Sequence, residues 1–142
     1  MSGLTDGIGP ALRQVLVDDS AVAALVGARV FPLVREGGAL PALAYSIVEA
    51  QPDAPDLGAV GAAQSVVAVV DLSCVASTQD GADALAGAVE AALDGYLGAP
   101  LGGPPRLHIS VRGRVDTAME TSDTAAGELE RHAKLRIAVR RF

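Results

Sequence analysis

The chain has 142 residues, half of them hydrophobic but only 3% aromatic, one cysteine and a formal net charge of −6 at pH 7. That length predicts one domain, 1–142, with a core of Val, Leu, Ala and Ile. No apolar run reaches the roughly 18 residues that span a bilayer, and MSGLTDGIGP lacks an export signal's basic-then-apolar order, so no membrane is expected and the protein is predicted to stay where it is made.

Ile8, Leu12, Val15 and Leu16 recur at helical spacing. An amphipathic helix therefore opens the chain, with Thr5 or Asp6 as its cap and Pro10 tolerated in the first turn. The pattern ends near Asp18 and Asp19, and Ser20 is expected to cap a short second helical turn closed by Gly27. Arg29 to Leu33 reads as a brief strand interrupted by Pro32, followed by a Gly37-Gly38 loop. Leu43, Tyr45 and Ile47 then alternate with Ala44, Ser46 and Val48 in a strand of about seven residues. Glu49 to Gln64 is rich in Pro, Gly and acid. It predicts a long loop that either orders on meeting a neighbour or stays disordered.

The stretch from Val66 to Leu97 organises the rest. Five valines between Val66 and Val75 favour a pleated strand, apolar on both faces until Asp71 and Ser73. The period then changes: Leu85, Val89, Ala92, Leu93 and Tyr96 share one side of a helix, and Asp83, Gly87, Glu90 and Asp94 the other. Asp80 is the expected N-cap, with Gly95 and Gly98 ending the helix. Its many alanines allow close packing on a sheet.

After the GAPLGGPP break the chain reads as a broad hairpin. Leu107, Ile109, Val111 and Val115 alternate with His108, Ser110, Arg112 and Arg114, and Leu135, Ile137 and Val139 with Lys134, Arg136, Ala138 and Arg140. One face is apolar and the other basic, as a solvated sheet face requires. The connection between the strands holds Asp116, Glu120, Asp123, Glu128 and Glu130. Charge is uneven along the chain: residues 1–104 hold three Arg against twelve acids, a balance of −9, and residues 105–142 hold eight Lys and Arg against five acids, a balance of +3. Such asymmetry points to nucleic acid or an acidic partner.

No catalytic or metal-binding arrangement is legible, and no cofactor is expected. His108 and His132 fall on outward strand positions without ligands at metal spacing, Cys74 sits in an apolar strand as a buried thiol, and G-x-S-x-G, H-E-x-x-H and C-x-x-C are absent. Nucleic-acid binding by stacking is disfavoured because the basic strands carry no aromatic before Phe142. The expected fold is α+β: an antiparallel sheet of about four main strands, one long helix packed on a face and the N-terminal helix beside it.

Several strings in this order, DDSAVAALVGARVFPL, LPALAYSIVEAQP, VVAVVDLSCVASTQDGADALAGAVEAAL and ELERHAKLRIAVRR, resemble the tail-completion or tail-terminator family of long-tailed bacteriophages, prophages and gene transfer agents. The family often has an aromatic just after the central strand, where this chain has Leu72-Ser73-Cys74-Val75. The resemblance implies a non-enzymatic virion protein at the head-tail junction, assembled in the host cytoplasm. It would form a hexameric ring that ends tail-tube polymerisation, contacting the major tail tube protein and a head-connector or head-completion protein while DNA passes through its lumen unread. The candidate subunit or tube contacts are Asp53, Asp56 and Leu57 in the first long connection, Asp116 and Glu120 in the second, and Arg112, Arg114, Arg136 and Arg140 on the basic strands. The alternative is a small adaptor that binds nucleic acid or another partner through the four arginines.

Overall fold

The computed structural model describes residues 7–32, 40–52, 65–103, 105–115, 121–123 and 129–142. Along the chain lie α1 Ile8–Asp18, α2 Ser20–Val26, β1 Val30–Pro32, β2 Ala42–Pro52, β3 Val66–Ala76, α3 Gln79–Leu93, β4 Leu97–Gly98, β5 Leu107–Val115, β6 Thr121–Asp123 and β7 Leu129–Arg141. The α+β class holds, but the sheet is larger than the four strands expected. Seven strands take the order β1-β2-β3-β7-β5-β4, with β6 paired to β7 beside that path. The expected four are β2, β3, β5 and β7. Beside them, β1 falls within the brief strand expected at Arg29 to Leu33 and runs parallel to β2, while the additions β4 and β6 have two and three residues, too few to show a period in sequence.

The valine-rich β3 lies at the centre, antiparallel to β2 and β7, so that Leu72 faces Tyr45 on one side and Leu135 on the other. Its alternate residues Ala68, Val70, Leu72 and Cys74 join Leu43, Leu107, Ile109, Leu135, Ile137 and Val139 in one buried layer. Over that layer lies α3, touching β3, β7 and β5, with α2 packed on α1 and α3. Leu85, Val89 and Leu93 of α3 are fully buried there; each such side chain contributes about 1.5–3 kcal/mol. The other face of the sheet carries Val67, Val69, Asp71 and Ser73 half-buried, while Ala42, Ala44 and Val75 at one end are buried.

All three helix starts differ in detail from expectation. Gly7 caps α1 in a left-handed conformation, φ 79, without a side-chain bond; Thr5 and Asp6 lie outside the described residues. In α2 the cap is Asp19 rather than Ser20, its carboxylate accepting from the Ala21 and Val22 N–H groups at 3.1 and 3.0 Å. In α3 the Thr78 hydroxyl accepts from the Gly81 N–H at 3.0 Å. Asp80 instead occupies the first turn, where its charge meets the positive end of the helix.

Two bulges reshape the sheet. The first falls between Ile47 and Glu49, after which Glu49 to Pro52 continue β2 beside Val69 to Val66. The expected seven-residue strand thus has eleven residues, and the connection begins after Pro52 rather than at Glu49. A polar run extends when an apolar neighbour offers it a full hydrogen-bonding edge. The second bulge falls between Val111 and Gly113, with Arg112 as the extra residue and Gly113 at φ 134. A bulge switches which face each later side chain occupies. Arg114 therefore stands opposite the core residue Leu135, and Val115 opposite Lys134, the reverse of the alternation expected for them.

Candidate functional site

The four arginines expected on one basic face are split by the fold. Arg114, turned by the bulge to the helix-covered side, donates to Asp83 of α3 at 3.1 Å. Its charge also reaches Cys74. Arg136, on the open face, grips Asp71 with both ends of its fork, Nε to Oδ1 at 2.8 Å and Nη2 to Oδ2 at 3.0 Å. The bidentate bond raises the Arg136 pKa further above its ordinary value. Arg112 is exposed on the bulge, and Arg140 lies four residues along β7 from Arg136. Asp53, Asp56, Leu57, Asp116 and Glu120 lie outside the described residues.

Burial pushes the Cys74 thiol up to about 12, which makes it inert at neutral pH. His108 is exposed as expected, whereas His132 is half-buried beside Val75. Among the described residues no cluster of three His, Cys, Asp or Glu could hold a metal ion, and no helix is long and apolar enough to cross a membrane.

The feature that periodicity does not reveal is a corner at the β4 end of the sheet. Leu97, His108 and Arg140 are register partners across β4, β5 and β7. With Ser65 and Phe142 they line a pocket of about 320 Å³. Beyond the last paired residues, Arg106 and Phe142 exchange backbone hydrogen bonds of 3.2 and 3.0 Å, and the Arg106 guanidinium lies 4.8 Å from the centre of the Phe142 ring. Leu97 and Phe142 are nevertheless 60% and 43% exposed. An outward Leu in a Gly-rich break and a Phe next to arginines were the available signals.

Charge is divided between the layers. The helices and their caps carry Asp18, Asp19, Asp80, Asp83, Glu90 and Asp94 against Arg13. On β5 and β7, Arg112, Lys134, Arg136 and Arg140 face away from that layer or lie at its margin. The surface is therefore acidic over the helices and basic along the β5 and β7 side.

Comparison with known proteins adds two findings. The model of the family described as "Tail completion protein gp17" matches residues 10–136. Among solved structures, a chain of "Virion of native gene transfer agent (GTA) particle" shares the fold with a TM-score of 0.64 and 21% identity, over 99% of this chain and 98% of that one. No curated protein sequence matches.

Proposed function

The chain belongs to the tail completion protein gp17 family, and from that premise we propose that it forms, as a single domain, a hexameric ring closing the head-proximal end of a phage-type tail tube. The ring halts addition of the major tail tube protein and offers head-connector or head-completion proteins a surface to dock on. The match over residues 10–136 is the observation that carries this reading. Its physical support is the division of charge between layers, because a closed ring joins each copy to the next through two different surfaces. Contacts to a neighbour or the tube are assigned to Arg112 and Arg140 and to Asp53, Asp56, Leu57, Asp116 and Glu120 in the two long connections. Arg114 and Arg136 hold Asp83 and Asp71 within the chain. That pairing also favours passage of DNA through the lumen over its retention, since arginines engaged by carboxylates release fewer counterions from phosphate.

Light scattering on a sizing column, with negative-stain images of the peak, tests the assignment. A ring of six, or a monomer that assembles on the ends of added tail tubes, is the expected result. A monomer or dimer that never caps tubes overturns it. A nucleic-acid adaptor would instead retain DNA in low salt and lose it on substitution of Arg112 and Arg140.

A further inference from the structure

We infer that the corner formed by Leu97, Phe142, Arg106, His108 and Arg140 is the socket for the neighbouring copy, and that it receives the outer, acid-ended face of that copy's α3. The inference rests on the ring reading and names the two surfaces that meet.

The socket combines exposed apolar groups with cationic ones. Among the described residues five large hydrophobics are exposed, and Leu97, Leu101 and Phe142 are three of them, the first two within five residues of each other. Clustered exposed apolar residues beside arginine mark protein contacts. The Arg106 guanidinium stacked on Phe142 holds an aromatic anchor in place before any partner arrives, lowering the ordering cost of binding. Beside it, the pocket of about 320 Å³ places His108 and Arg140 next to the apolar walls.

The complementary surface is on the page as well. Asp80, Ala84, Gly87, Ala91 and Asp94 of α3 and its cap are exposed. Small side chains between two acids leave a flat strip that protruding Leu97 and Phe142 can approach; Asp80 stands at its start for the cations, while Asp94 Oδ1 at its end accepts from the Val111 N–H of its own β5 at 3.1 Å. The strip cannot fold onto its own corner, because the opposite side of α3 is fixed to β3 and β7 by Leu85 and Leu93. Socket and strip are different surfaces, so each contact leaves both copies with one surface free, as the head-to-tail contacts of the proposed ring require.

The test uses full-length protein with and without tail tubes. Cys74 is fully buried and leaves introduced cysteines as the reactive ones. A Leu97→Cys chain mixed with a Gly87→Cys chain is treated with a short bis-maleimide; a Cβ at Gly87 meets nothing within 4 Å. Cross-linked pairs in the mixture, and none in either variant alone, are expected. In parallel, Leu97→Ser with Phe142→Ser should lose the ring peak while keeping the wild-type circular dichroism. Rings that persist in the double variant without cross-links overturn the socket and leave the ring standing. Wild-type protein that stays monomeric even on tubes overturns the ring itself, and the socket with it. A Leu97→Cys chain that cross-links to itself shows a two-fold contact and overturns the proposal. So does Arg106→Glu if it abolishes retention of duplex DNA without changing assembly, because the corner then serves nucleic acid.

Discussion

The two faces of the sheet solve different problems with the same strands. Under the helices, Val70, Leu72, Ile109, Leu135 and Ile137 form a layer with no exposure beyond 2% together with Leu85 and Leu93. On the other side the same strands present Val67, Val69, Ser73 and Ala138 half-buried around the Asp71–Arg136 pair. Stability resides in the first face because apolar area there is removed from water completely. The second face keeps enough apolar surface to pack and enough charge to stay solvated.

The largest effect expected from this contrast comes from cavities in the covered layer. Leu85→Ala and Leu93→Ala should each cost about 2–5 kcal/mol, whereas Val69→Ala on the open face should cost about 1 kcal/mol or less. Urea denaturation checks both. Equal midpoint shifts for the two classes would break the distinction between faces.

A pH measurement sharpens it further. Desolvation raises the Cys74 thiol from 9.0 to about 12, with the Arg114 charge pulling it part of the way back. The folded chain therefore keeps this proton while the unfolded chain releases it above pH 9. Stability is full below pH 9 and falls as pH rises, at about 1.4 kcal/mol per unit between pH 9 and 12. Cys74→Ala should start less stable and show a shallower alkaline slope. A slope identical to wild type would mean that the thiol is hydrated.

At the edge of the covered layer the effect becomes smaller. The Thr78 hydroxyl satisfies one N–H at the start of α3, and Thr78→Ala should cost about 1 kcal/mol in the same urea experiment. Thr78→Ser, which keeps the hydroxyl, should recover most of it. Failure of Ser to recover would assign the loss to packing of the Thr methyl group rather than to the cap.

Legibility in the sequence follows the same division. The helix α3 and strands β3 and β7 were readable because Leu85, Val89 and Leu93, or Leu135, Ile137 and Val139, repeat often enough to establish a period. The N-caps shifted by one or two residues because Asp19-Ser20 and Thr78-Gln79-Asp80 each offer two good capping side chains, and backbone geometry selects between them. The extension of β2 through Glu49, Ala50, Gln51 and Pro52 carries no apolar alternation and depends on the valines of β3. For the candidate site, the arginine residue types were readable and their placement was not: one extra residue at Arg112 sends Arg114 to the other face. Gly113 was the one local sign of that bulge. The Leu97–Phe142 corner depends on pairing residues 97 and 108, a contact with no sequence pattern.

The smallest stability effect is expected where the charge is most conspicuous. Arg136 and Asp71 make two bonds of 2.8 and 3.0 Å, yet their side chains remain 43% and 25% exposed. Water competes for both ions, so the attraction only slightly exceeds the hydration it replaces. Arg136→Gln should shift the urea midpoint less than Thr78→Ala, and 1 M salt should shrink the shift further by screening the pair. Adding Asp71→Asn to Arg136→Gln should give a combined loss below the sum of the two singles, because either substitution already removes the shared interaction. A loss matching Leu85→Ala would show that the open face is as dry as the covered one.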